Sequence, residues 1–236
     1  MNDALHLDSL PSEQQKIWAA LAEANMSGFM LYGGTALALR YGHRISIDFD
    51  FFGAPSVTSE GIAQRIPWLK ENMDQEIQNE PNTYAVSVFC PGVESKETVK
   101  LSFFGEMGFP TLDRPIVASN NIQIASVRDV LATKLKAIFG RVEAKDYIDI
   151  AEILTQSGDP VAQLKDGLAD FEFLFPGGNA HLVLKSLCWF KSGDLSAVDG
   201  PTRKLLQDTV CAVKEIPPAK PVFKAEIGYD PSKEDS

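Results

Sequence analysis

The chain has 236 residues, with 22 Lys and Arg against 32 Asp and Glu, a formal charge of −10. Hydrophobic residues make up 44% and charged residues 23%, the balance of a globular chain with apolar material for one large domain or two small ones. No apolar run approaches the ~20 residues of a membrane helix, and no charged-then-apolar leader opens the sequence, so we expect a cytoplasmic protein with no membrane association. Cys90, Cys188 and Cys211 stand far apart without a C-x-x-C pair, and His6, His43 and His181 are the only histidines. That spacing argues against a disulfide scaffold, a cysteine zinc site and a histidine-rich metal centre. The acidic excess argues against a surface built to coat nucleic acid, although it leaves room for a local basic groove.

In chain order, residues 11–25 read as an opening helix, with Pro11 and Ser12 in its first turn and Ile17, Trp18, Leu21 and Ala24 at helical spacing. The run Gly28–Tyr32 reads as a buried strand that ends in Gly33-Gly34-Thr35, and helical character then resumes to a stop at Gly42. Ile45–Phe52 reads as a second strand, 58–72 as a helix, and 83–90 and 97–104 as two strands around a Pro-Gly turn. From about Ser126 helical periodicity dominates, through 126–156, 160–172, 178–192 and 200–215. The expectation is therefore an α/β (α+β) unit over 1–125, a mixed sheet with flanking helices, followed by a helical domain over 126–215 that completes a cleft. Residues 216–236 are rich in proline and charge with little to bury, and read as a loose tail.

Two features carry chemistry. The strand, Gly33-Gly34-Thr35, helix passage lets a backbone approach a ligand closely and presents free N–H groups to an anion. Taken alone, such a turn is more often simple packing. Asp48 and Asp50, two apart in an apolar strand, project from one face while Phe49 and Phe51 point into the presumed core. Neighbouring anions in such a strand repel and are costly to desolvate. A divalent cation relieves both problems, and oxygen-only ligands suit Mg²⁺, which bridges substrate phosphates readily. The competing reading is a solvated strand face, or pairing of the aspartates with Arg40 and Arg44.

The stretch from Gly33 to Arg40, followed by Gly42-His43-Arg44-Ile45-Ser46-Ile47-Asp48-Phe49-Asp50, closely resembles the signature of the AbiEii/AbiGii-type toxin nucleotidyltransferases, in the DNA polymerase β-like nucleotidyltransferase superfamily. The resemblance continues at 129–150, which looks like that family's Lys-plus-Asp-x-x-Asp helical motif. It implies a metal-dependent enzyme that transfers a nucleoside monophosphate from an NTP to an acceptor hydroxyl. Gly33, Gly34 and Thr35 would cradle phosphates, Asp48 and Asp50 would hold Mg²⁺ or Mn²⁺, and Lys134 would contact nucleotide phosphates. Asp146, and with it Asp149, would face the active cleft, and the basic pair His43 and Arg44 would lie near the phosphates. The acceptor implied is a tRNA 3′ end, within a toxin–antitoxin pair that has a separately encoded antitoxin protein. The rivals are a protein-adenylylating enzyme and a degenerate nucleotide-binding or interaction module without turnover.

The second motif also has a physical reading of its own. Segment 126–145 holds Arg128, Lys134, Lys136, Arg141 and Lys145 against Asp129 and Glu143, a positive island suited to a triphosphate or an RNA backbone. Its bland alternative is a solvated helix face. Asp146 and Asp149 sit one helical turn apart and share a face. Asp146 is a salt-bridge partner of the Lys145 neighbourhood or of Arg141 that orders the helix pair, or, as the resemblance implies, an acid that orients or deprotonates the acceptor. Many nucleotidyltransferases carry a third carboxylate on a later strand. Here the matching strand is 98–104, and the position expected to hold the acid is Ser102, which leaves either Asp146 in that role or a weak enzyme.

Overall fold

The structure, a computed structural model, describes residues 5–92 and 97–223. The chain divides into two compact units, one formed by Met1–Ser126 with the segment from Phe223, the other by Val127–Val222.

The first unit runs α1 (Ser12–Ala20), β1 (Phe29–Tyr32), α2 (Gly33–Tyr41), β2 (Asp48–Gly53), α3 (Ser59–Arg65), α4 (Leu69–Asn72), β3 (Met73–Glu80), β4 (Thr83–Phe89), β5 (Thr98–Phe104), β6 (Ile116–Val117) and β7 (Gln123–Ile124). Its mixed sheet has the order β3-β4-β5-β2-β1-β7-β6. At its centre β2 pairs antiparallel with β1 and parallel with β5. The residue alternation of β2 sorts its side chains. Phe49 and Phe51 are fully buried, with Trp18 stacked on Phe49 and Phe103 stacked on Phe51 at 5.4 Å. On the opposite face Phe52 stacks on Phe104 at 4.8 Å, and Asp48 and Asp50 share that face.

Three local readings change. The helix expected over 58–72 is broken at Ile66-Pro67-Trp68, because proline supplies no N–H and forces Ile66 out of the helical region, to φ −119° and ψ 91°. Strand β2 begins at Asp48 rather than Ile45, and Ile45 and Ile47 stand exposed ahead of it. Strand β3 has no sequence signature, since every residue of Met73–Glu80 is exposed. It exists because Asn82, at φ +57°, turns the chain back so that β3 pairs with β4.

The second unit contains α5 (Val127–Gly140), α6 (Ala144–Gln156), α7 (Pro160–Leu174), α8 (Ala180–Leu187) and α9 (Gly200–Ala212). Their starts follow from sequence: Asp159, Asn179 and Asp199 each cap a helix through the side chain, and prolines occupy the first turns of α7 and α9. Leu131, Leu135, Leu164, Leu168, Phe171 and Leu206 are buried in its core. Gly167 lets α7 approach α5, because a Cβ there would lie 2.5 Å from Leu131. The Arg128 guanidinium pairs with buried Asp170 at 2.6 Å and donates to the carbonyls of Lys220 and Pro221. Of the stretch read as a loose tail, 224–236 lies outside the described residues. Lys220 pairs with Asp166, and Phe223 donates its N–H to the Leu112 carbonyl at 3.1 Å. No helix among the described residues is long and apolar enough to cross a membrane.

Candidate active site

The sheet unit gathers most of the first motif at the start of α2. Gly33 has φ +72°, and a Cβ there would lie 3.0 Å from Asp50 Oδ2, so the turn is pressed against that carboxylate. A Cβ on Gly34 would collide with the Arg44 guanidinium and lie 3.2 Å from Ser46 Oγ. These two positions need glycine for different reasons, one for its left-handed backbone and both for the space. Helix α2 receives no side-chain cap from Tyr32, its N-cap residue. Its first N–H groups therefore emerge beside Asp50 and Arg44 as an anion-binding edge.

Thr35 is 1% exposed. Its hydroxyl lies 2.8 Å from Ser46 Oγ and hydrogen-bonds the Asp48 carbonyl. The side chain thus pins the approach to β2, which leaves the backbone N–H of Thr35 at the start of α2. Arg44 is half-buried and donates to the Ile45 carbonyl; His43, also half-buried, directly precedes it. Arg40 donates to the carbonyl of Ala125 at 2.7 Å.

Asp48 and Asp50 are both half-exposed. Among the described residues the Asp48 carboxylate makes no hydrogen bond or ion pair. No group of three or more His, Cys, Asp or Glu side chains is set for a metal among the described residues. Two carboxylates on one strand face beside an anion-binding turn still fit Mg²⁺, which takes one or two protein carboxylates and completes its octahedron with phosphate oxygens and water. They would not fit a stand-alone cation site.

Across the sheet, Asp50 is the register partner of Ser102, and Asp48 that of Lys100. Ser102 is 1% exposed and its hydroxyl has no hydrogen-bond partner. Strand β5 therefore brings no carboxylate to this face.

The second motif lies in the other unit as a buried ionic cluster. Lys134 Nζ sits 2.8 Å from Asp146 Oδ1 and 2.6 Å from Asp149 Oδ2. Arg141 adds contacts to both Asp146 oxygens, at 2.8 and 3.2 Å. Both aspartates are fully buried, and the Lys134 side chain is 6% exposed. Burial alone would raise the Asp146 carboxyl, but the Lys134 ammonium and the Arg141 guanidinium outweigh it and hold it below the usual range. An acid so placed is a poor proton acceptor. The salt-bridge alternative for Asp146 describes its surroundings, and its evident effect is to fix Lys134. Lys136 diverges from Lys134, with its ammonium over the rings of Phe139 and Phe175. Sequence reasoning gave no part to Ser46 or Lys100; the alternation of β5 was the available signal for Lys100, but only the register shows what it faces.

The sheet order and the helices around it define a nucleotidyltransferase-type fold. The chain superposes on JHP933 from Helicobacter pylori with a TM-score of 0.55 at 20% identity, covering 84% of this chain and 89% of that one. A candidate nucleotidyltransferase from H. pylori gives 0.54 at 19% identity, covering 89% and 94%. Residues 17–205 match the family model described as nucleotidyl transferase AbiEii toxin, type IV TA system. An uncharacterized protein of Aquifex aeolicus, aq_aa25, is 30% identical over 178 residues, 69% of this chain and 74% of that protein. The chain belongs to the AbiEii family of nucleotidyltransferase toxins of type IV toxin–antitoxin systems.

Proposed function

We propose that the protein transfers a nucleoside monophosphate from a Mg²⁺- or Mn²⁺-bound NTP to an acceptor hydroxyl, releasing pyrophosphate. The observation that carries this reading is the Asp48–Asp50 face set against the Gly33-Gly34 turn. Asp48 and Asp50 hold the metal, which when bound screens the phosphate charge and polarises the reacting phosphoryl group. The backbone N–H groups of Gly33, Gly34 and Thr35 bind phosphate oxygens, and Arg44 adds positive charge beside them. The acceptor oxygen forms a bond to the α-phosphorus, the bond to the β-phosphate bridge breaks, and the electron pair leaves with pyrophosphate. Such a transition state asks for positioning and charge neutralisation more than covalent catalysis.

Lys134 serves the leaving phosphates in this reading. Two of its three N–H donors are taken by Asp146 and Asp149, which fixes the direction of the third. Asp146 and Asp149 act through Lys134, and His43 lies with Arg44 near the phosphates. With Ser102 on β5 and Asp146 held ionised by two cations, the acceptor's proton passes to solvent. The family implies an antitoxin encoded separately, and the setting is cytoplasmic.

The acceptor is a tRNA 3′ end, with a protein hydroxyl as the rival. Incubation with α-labelled NTP and Mg²⁺, in the presence of total RNA and total protein, tests this. Label is expected on RNA in the size range of tRNA and absent with Asp48→Asn. Label on protein alone replaces the acceptor. Nucleotide binding without label on either would favour a module that lost turnover along with the acid at Ser102.

A further inference from the structure

The sheet face that carries Asp48 and Asp50 has a third charged residue, contributed by β5. Lys100 is the register partner of Asp48 on one side and of Ser87 on the other. Register partners on neighbouring strands lie about 4.8 Å apart and point to the same face. The rings confirm the assignment, since the partners Phe51 and Phe103 stack on the core face and the partners Phe52 and Phe104 stack on the other. By alternation from Phe104, Ser102 and Lys100 belong with Asp50 and Asp48.

Lys100 is half-exposed, and among the described residues it forms no ion pair, with Asp48 or any other acid. A lysine and an aspartate that are strand neighbours yet do not pair each keep their charge available to a ligand. The charge count of the face gives that availability a purpose. Two carboxylates balance one divalent cation, which leaves the negative charge of a triphosphate to be offset by protein cations. Arg44 stands at Gly34, on the β1 side of β2, and Lys100 stands on the β5 side. Strand β5 (Thr98–Phe104) carries no acid, so nothing on that strand neutralises Lys100 or invites a second metal.

We propose that Lys100 is a substrate-binding residue of this site, its ammonium holding a phosphate oxygen of the nucleoside triphosphate next to the cation at Asp48. The assignment rests on the metal–nucleotide reading above and adds a residue to it. A solvated strand lysine would have the same exposure but no effect on nucleotide affinity.

The test is equilibrium binding, by calorimetry, of Mn²⁺ alone and of Mn²⁺ with a non-hydrolysable NTP analogue, to the full chain and to its Lys100→Met and Lys100→Arg variants. Lys100→Met is expected to weaken binding of the metal–nucleotide about tenfold or more, the scale of a lost charge-assisted contact. It should leave Mn²⁺ alone bound no more weakly, because a like charge beside the cation is removed. Lys100→Arg should recover most of the affinity. Equal metal–nucleotide binding by Lys100→Met and wild type overturns the Lys100 assignment alone. Failure of the wild type to bind metal–nucleotide overturns the underlying reading, and this proposal with it.

Discussion

The Lys134 ammonium lies 2.6 Å from the Asp149 carboxylate, and both groups are shut away from solvent. With Asp146 and Arg141 they form two positive and two negative charges on α5, α6 and the link between them. A cluster whose charges balance tolerates burial; a depleted one does not. Lys134→Met leaves two buried carboxylates with only Arg141 to answer them, at a cost on the order of 3–5 kcal/mol. Urea unfolding should show that loss, and Lys136→Met, which removes the contacts with the Phe139 and Phe175 rings, should cost far less.

The same cluster sets an acid limit. The Asp146 carboxyl is held below its ordinary 3.8 in the folded chain, so the folded state binds that proton less readily than the unfolded one. Its contribution to stability is complete above the ordinary value and disappears as pH falls through the lowered one. Asp146→Asn should therefore flatten the acid side of a stability-versus-pH curve while lowering the plateau near neutrality. An unchanged acid slope would detach Asp146 from Lys134 and Arg141.

Gly33 and Gly34 should separate stability from binding. Gly33→Ala forces a Cβ into the left-handed region and against Asp50, which costs about 1–2 kcal/mol. Gly34→Ala meets the end of the Arg44 side chain, with Ser46 Oγ at 3.2 Å, so the fold should survive with little change in Tm. Its nucleotide affinity should fall, because the guanidinium is displaced from the turn. Thermal melts paired with nucleotide titration distinguish the two.

Asp48 has the least support from its own fold. With no ion pair or hydrogen bond to its carboxylate among the described residues, Asp48→Asn should leave Tm unchanged or slightly raised by relief of repulsion from Asp50. Mn²⁺–nucleotide binding and transfer should both be lost. A large loss of stability would mean that Asp48 is structural.

What the sequence made legible was short-range pattern. The i, i+2 spacing put Asp48 and Asp50 on one face, and Gly42 ended α2 through a left-handed cap at φ +61°. The strand–glycine–helix passage was likewise readable from Gly33 and Gly34. What stayed hidden depended on partners far along the chain. Strand β3 is exposed throughout and is a strand only because β4 pairs with it. The commitment of Thr35 to Ser46 and Asp48 spans 11 and 13 residues. Asp146 offered two chemistries one turn from Asp149, and its ion pairs with Lys134 and Arg141 appear only once α5 and α6 pack together. Lys100 was visible as a charge in an apolar strand, but parallel pairing across some fifty residues gives it Asp48 as a neighbour.

The central claim is transfer of the α-phosphoryl group, and a paired labelling experiment reads it directly. The protein is incubated with Mg²⁺ and total RNA, once with NTP labelled at the α-phosphate and once with NTP labelled at the γ-phosphate. α-Label should become covalently attached to the acceptor while γ-label appears in pyrophosphate in equal amount, both ending with Asp48→Asn. Attachment of the γ-label, or pyrophosphate release undiminished by Asp48→Asn, would contradict it.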